Sequence, residues 1–450
     1  MCIALINYDT GINISYTYDR DKNISGMVNH DPQDNVIGSY SYTYDNNGNQ
    51  LIKTENGSRT IYTYDELNRL KTAIYPGLGL ETYTYDNAGN RLSKVLGADN
   101  TTYAYDARNR LTQSINNGIT TTYAYDGNGN LTQLTKGTKN TIYTYDGFNR
   151  LKETSMSDGQ WMAYDYDAFG LRVSTIENGN WYDFTLDRGN VIAEKTGEDD
   201  VTRYIRGIDL IAKTDNGEAP AYYLHNAHGD VVNLVNGGGE VLNSYTYDAF
   251  GNTASYCETV ANRFMYAGEQ FDKITGEYYL RARYYDPVIG RFTQEDTYRG
   301  DITNPLSLNL YMYCENNPVN FLDPSGHLRE PGYVNGIWYF DPDAAEFGSD
   351  SSTYQMLVTL GNLWIGTDDT NFRNEYHTRA NKIRERARTP GFQYSLVPRA
   401  TFEADNEQGI YYSPEDPIQK IFGYCDLYDT AFGAVSDMNT IKMEFGDWRI

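Results

Sequence analysis

Cysteine is scarce in this sequence: Cys2, Cys257, Cys314 and Cys425 are the four in 450 residues. They form no Cys-x-x-Cys pair and no metal-ligand spacing, so they read as small buried hydrophobes. Basic residues are also in short supply, 37 against 61 acidic, for a formal charge of −24. Phosphate binding needs clustered Lys and Arg, so a nucleic-acid-binding surface is not expected. An acidic excess of this size mainly keeps a large protein soluble. Long apolar runs are missing: no segment approaches the ~18 residues of a membrane span. The opening "MCIALINYDTG" lacks the basic start and apolar stretch of a signal peptide.

Tyrosine is what the chain has in excess, 43 residues. It carries much of the apolar burial, and each buried phenol then needs a hydrogen-bond partner. The tyrosines are not scattered. Tyr-x-Tyr-Asp ends at Asp19, Asp45, Asp65, Asp86, Asp106, Asp126, Asp146, Asp167 and, after a gap, Asp248. From Asp45 to Asp167 the steps are 20 or 21 residues, the mark of a repeat fold. The phrase appears by Tyr16 with no capping segment before it, which raises the expectation of a fragment of a longer protein.

Tyrosine and threonine favour strands, in which side chains two apart share a face. The stretch after each aspartate reads as a turn, with Asp first and Gly fourth as in type I. Gly48, Gly89, Gly129 and Gly170 alternate at that fourth position with Asn68, Asn109 and Asn149. Asparagine is the non-glycine residue that best tolerates left-handed backbone angles, so both spellings supply a positive-φ residue. The alternation predicts a double repeat of about 41 residues built from two hairpins. Stacked hairpins would place tyrosines in ladders about 5 Å apart. A single hairpin is marginal, so the array must be continuous. Aromatic stripes at structural spacing read as core rather than as a sugar site.

Tyr-Asp repeats of this spacing resemble the YD repeats of the RHS family, which includes the C component of Tc toxins and the teneurin shell. "YYLHNAHGDVVNLVNGGGEVLNSYTYDAFGNT" (Tyr222–Thr253) is similar to the family's core entry segment. "MYAGEQFDKITGEYYLRARYYDPVIGRFTQEDTYRGDITNPLSLNLYMYCENNPVNFLDPSGH" (Met265–His327) is similar to its RHS-associated core. The resemblance implies a mainly β fold: antiparallel hairpins in a spiralling shell, a core plugging one end, and a small α+β C-terminal domain. The implied divisions are 1–215 for the repeats, 216–327 for the core and 328–450 for a variable effector-type domain.

It also implies a site. Active family members cut themselves just after the core with paired aspartates. Two nearby carboxylates can share a proton, so that one acts as base toward water and the other as acid. The second aspartate falls on Asp323 in "LDPSGH", and the assisting arginine on Arg283. The first falls on Asp296 in "QEDTYRGD" by its flanking residues, with Asp301 the alternative by spacing. Thr297 stands where the family has proline, and His327 where it has leucine. The cut is expected within Gly326, His327, Leu328 and Arg329. Asp-Pro pairs are also ordinary turn formers, as "YYDPVIG" at Asp286 illustrates.

His225 and His228 are three apart without further ligands, and no metal is expected there. The run Gly237, Gly238, Gly239 is followed by neither Lys-Ser/Thr nor a helix, so it reads as a hairpin turn, and no cofactor is expected. Beyond His327 the repeats stop. "NFRNEYHTRANKIRERAR" (Asn371–Arg388) has helix composition before a Thr-Pro-Gly stop, and a second helix is expected in "DPIQKIFGYCDLYDTAFGAVSDMNT". From about Gly409 the chain is similar to the start of a domain of unknown function found in bacterial RHS proteins. His377 is the one general-base candidate there.

These readings predict a secreted or surface bacterial shell protein of polymorphic-toxin type that encloses or presents its tail and cleaves itself. Its expected partners are an immunity protein, a secretion-system component or a surface ligand on target cells. The rival reading is a surface adhesion protein with purely structural repeats and no proteolysis.

Overall fold

The computed structural model of the chain describes residues 5–331 other than 198, 199, 208, 303, 328 and 329; for 330 and 331 it describes the backbone alone. The expected C-terminal helices, the small α+β domain, His377 and Leu328 lie outside the described residues. So do Cys2 and Cys425.

The Tyr-rich segments form strands, as their β propensity demands. They make one 25-stranded antiparallel sheet, from Leu5–Asn7 to Thr253–Glu258. Each strand pairs with its successor in the chain, as Ser58–Tyr64 does with Leu70–Tyr75. The fourth-position residues behave alike despite their two spellings: Asn68 has φ 59° and Gly89 φ 79°. In the Asp65 turn, Asn68 N–H returns to the Asp65 carbonyl at 3.0 Å, while Asp65 Oδ1 accepts the Leu67 and Arg69 N–H groups. The aspartate of each phrase thus satisfies the backbone donors that the turn leaves unpaired.

The alternation of asparagine and glycine turns has a physical cause. In asparagine turns the side chain is an acceptor for the preceding turn: Asn47 and Asn49 donate to Asn68 Oδ1 at 3.1 and 2.9 Å, and Asn90 donates to Asn109 at 2.9 Å. The arginine that follows reaches forward, Arg69 to the Asp86 carbonyl and Arg150 to the Asp167 carbonyl, both at 3.0 Å. Each asparagine turn is therefore bonded to both neighbours, its amide to the turn before and its arginine to the turn after, and this division of roles gives the double repeat its period.

The two tyrosines of each phrase have separate jobs. The first is buried, as Tyr62, Tyr83 and Tyr143 are. A bulge before the second, between Thr63 and Tyr64 for example, lets its phenol reach back to the previous hairpin. Tyr64 donates to the Gln50 carbonyl at 2.8 Å, Tyr85 to Leu70 at 2.7 Å and Tyr105 to Arg91 at 2.8 Å. The opposite rim is made of two-residue turns such as Asn56-Gly57 and Asn117-Gly118, with positive φ at both positions. That geometry matches the twist of the strands it joins.

The sheet curls until distant strands meet. Ile12, Ile14, Met27 and Tyr42 share one buried cluster with Leu224, Val232 and Val235. The Ala249 N–H donates to the Tyr75 hydroxyl across the same kind of closure. The segment after Glu258 packs on the curled sheet as four short strands, Gln270–Asp272, Glu277–Leu280, Arg283–Asp286 and Arg291–Phe292. Its anchors are polar and buried. Arg172 pairs with Asp272 at 2.6 Å with neither side chain exposed, and Leu131 N–H donates to the Thr293 carbonyl at 2.9 Å. Gln50 N–H donates to Asn320 Oδ1 at 2.8 Å. Within this frame Gly237–Gly239 do form a hairpin turn, closed by Gly239 N–H on the Asn236 carbonyl at 2.9 Å. One cysteine differs from expectation: Cys314 is buried, but Cys257 is exposed, because the last strand of the sheet, Thr253–Glu258, leaves most of its side chains in solvent.

Candidate self-cleavage site

Three pieces of the core segment converge on one arginine. Arg283 begins the strand Arg283–Asp286 and is 4% exposed. Its guanidinium lies over the Phe292 ring, 3.6 Å from the centroid, and NH1 donates to the Leu310 carbonyl at 2.9 Å. NH2 sits 2.6 Å from Asp296 Oδ2 and 3.6 Å from Asp323 Oδ2. Both aspartates are buried. Asp296 is fixed by its own N–H on the Leu310 carbonyl at 3.0 Å and accepts the Tyr298 N–H on Oδ1 at 2.9 Å. Asp323 follows the strand Phe321–Leu322 and opens the turn that contains Gly326.

That turn brings a peptide group onto the charges. Gly326 has φ 74°, and a Cβ there would meet the Leu280 carbonyl oxygen and sit 3.0 Å from the Arg283 nitrogen. Only glycine fits so close an approach of backbone to backbone. The Gly326 carbonyl accepts a hydrogen bond from Arg283 Nε. On the other side of the same peptide group, the His327 N–H donates to Asp323 Oδ1 at 3.0 Å and to Ser325 Oγ at 3.2 Å. The His327 imidazole turns to Asp296, with Nδ1 2.8 Å from Oδ1. Because an ionised carboxylate only accepts, this nitrogen carries the proton.

The electrostatics separate the two acids. Burial pushes the Asp323 carboxyl up to about 6; the Arg283 charge pulls the other way and the Asp296 charge adds to the rise. Burial also lowers the Arg283 guanidinium from its ordinary value, against the pull of Asp296 and Asp323. One carboxyl whose pKa is raised toward neutrality beside a second paired to arginine is the electrostatic arrangement of an acid–base pair.

Of the residues singled out from the sequence, Arg283, Asp296, Asp323, Gly326 and His327 come together. Asp301 does not join them: it is exposed, in a turn where its N–H donates to Ser307 Oγ at 2.7 Å. Sequence reasoning missed the ring of Phe292 under the arginine, the Leu310 carbonyl that orients it, and the contact of the His327 side chain with Asp296. None of the three had a local spelling: the stack joins Arg283 to Phe292 from a neighbouring strand, and the other two contacts span 27 and 31 residues. Elsewhere, His228 Nδ1 lies 2.8 Å from Asp230 Oδ1, and among the described residues no group of His, Cys, Asp and Glu is placed to hold a metal.

Comparison with known proteins bears on this geometry. The sequence profile of the teneurin YD-shell matches residues 90–193 and 194–319. The tRNA3(Ser)-specific nuclease WapA of Bacillus spizizenii is 40% identical over 178 residues, 38% of this chain and 8% of that protein. Toxin subunit YenC2 of Yersinia entomophaga is 37% identical over 97 residues, 20% of this chain and 10% of the subunit. The chain thus spans a tenth or less of the length of these relatives. Among solved structures, the Photorhabdus luminescens Tc holotoxin pore with a TccC3 mutation aligns with a TM-score of 0.53 at 18% identity, over 72% of this chain and 18% of that one. That likeness concerns the fold alone.

Proposed function

Because the chain belongs to the teneurin YD-shell family, we propose that its repeats (1–215) and core (216–327) build a toxin-type shell that presents a variable effector segment (328–450), and that the core cuts the chain at the Gly326–His327 peptide bond. The support for the shell is the curled 25-stranded sheet together with relatives that are toxin subunits and a toxin-pore structure of the same fold. The single observation that carries the cut is that both polar atoms of one peptide group are held by the charged cluster, its carbonyl by Arg283 and its N–H by Asp323.

In this reading water attacks the Gly326 carbonyl carbon and gives its proton to Asp296. Arg283 Nε stabilises the oxyanion that forms, in the manner of a preorganised donor. Asp323, in the chains whose raised pKa leaves its proton on, passes that proton to the His327 nitrogen as the C–N bond breaks. The products are a carboxylate at Gly326 and an amine at His327. The released tail is the effector. The shell is secreted or displayed at the surface, and an immunity protein, a secretion component or a surface ligand of the target cell is its partner.

The test is a denaturing gel of the full chain beside Asp296→Asn, Asp323→Asn and Asp301→Asn. A tail of roughly 12–15 kDa should separate from the parent and from Asp301→Asn, and from neither of the other two, since an acid–base pair needs both members. A single intact band in all four would leave a purely structural core. Production of the tail in a bacterial host checks the effector: growth should be impaired, and unimpaired growth would count against it.

A further inference from the structure

The inference rests on the self-cleavage reading and concerns the side chain at the cut itself. Asp296 is to take a proton from water, and for that a lone pair must be open. Its Oδ2 is 2.6 Å from Arg283 NH2. Its Oδ1 accepts the Tyr298 N–H at 2.9 Å and the His327 Nδ1–H at 2.8 Å, which fills the two acceptor positions of that oxygen. The Tyr298 bond is backbone and fixed by its turn. The His327 bond is the one that can let go: its side chain is 37% exposed against 7% for Asp296, so solvent can take over the imidazole's hydrogen bond.

We propose that His327 is a positioning residue that latches the base: while its imidazole holds Asp296 Oδ1, water is kept off that oxygen and cleavage is slowed. The latch belongs to the segment that the site cuts, so it is engaged only while that segment is seated. The charged and titratable groups around it are Arg283, Asp296 and Asp323, with Tyr311, Tyr313 and Cys314 behind the arginine and Asp323.

The test is a pulse–chase of full-length chain made by cell-free synthesis, chased into buffers from pH 5.5 to 8, with cleavage read on gels. The parent is compared with His327→Leu, which has similar bulk and no donor, and with His327→Gln, which keeps an uncharged donor and stands in if the leucine chain fails to give a β-type circular dichroism spectrum. A charge-assisted bond of this kind corresponds to roughly tenfold or more in rate. His327→Leu should cut about that much faster than the parent. His327→Gln should exceed the parent by a ratio smaller than that of leucine. A leucine chain that cuts more slowly than the parent, or at an equal rate, overturns the latch and leaves self-cleavage standing. If neither parent nor variants cut while all are folded, the self-cleavage reading falls and takes the latch with it.

Discussion

The raised carboxyl of Asp323 sets a pH dependence that can be worked out in advance. The cleanest perturbation is pH itself, applied to the His327→Leu chain, in which no imidazole lies beside the site. Cleavage by the proposed route needs Asp323 with its proton on. Burial holds this group near a pKa of about 6, well above the ordinary range for aspartate. About nine-tenths of the chains then carry the proton at pH 5, about a tenth at pH 7 and about a hundredth at pH 8. The sign follows directly: protonation is the active state, so the rate is highest on the acid side and falls about tenfold per unit above pH 6. First-order rates from the gel assay between pH 5 and pH 8 should therefore span nearly two orders of magnitude. A leucine chain whose rate is level or climbs from pH 5 to pH 8 would refute the assignment of Asp323 as the acid.

Three further expectations concern the frame that holds the site. Gly326→Ala places a methyl group against the Leu280 carbonyl and the Arg283 nitrogen at positive φ; a loss of about 2–4 kcal/mol in urea unfolding and a strong drop in cleavage are expected, and a neutral result would mean the turn is not seated on the arginine. Arg172→Met leaves Asp272 buried without its partner and should cost about 3–5 kcal/mol; Arg172→Met combined with Asp272→Leu should recover most of it, and equal melting of the two chains would contradict the anchor. Asn68→Gly keeps the turn conformation but removes the acceptor for Asn47 and Asn49, so a loss of about 1 kcal/mol is expected, and none would argue against bonding between turns.

The parts of the fold that were legible in the sequence are those set by neighbours a few residues apart. The Tyr-x-Tyr-Asp phrase specifies a strand, a turn and the positive φ at Asn68 or Gly89, all within one local stretch. The turns at Asn56-Gly57 and Asn117-Gly118 are equally local, written in their Asn-Gly pairs. The bulge before Tyr64, which lets its phenol cap the Gln50 carbonyl, carries no spelling of its own. Closure of the sheet was legible only by resemblance, since contacts such as Gln50 with Asn320 join residues 270 apart. The site divides in the same way. Arg283 and Asp323 follow from motif, but the choice between Asp296 and Asp301 turns on which one the Leu310 carbonyl holds beside the arginine. The meeting of His327 with Asp296 depends on the Gly326 turn, which motif alone does not describe.

Intact-mass spectrometry of the purified chain probes the core most directly. The account predicts two fragments from the parent, the larger ending at Gly326 and the smaller beginning at His327, and one full-length species from Asp323→Asn. Full-length mass in both, or fragments whose new ends lie outside residues 326–329, would contradict it.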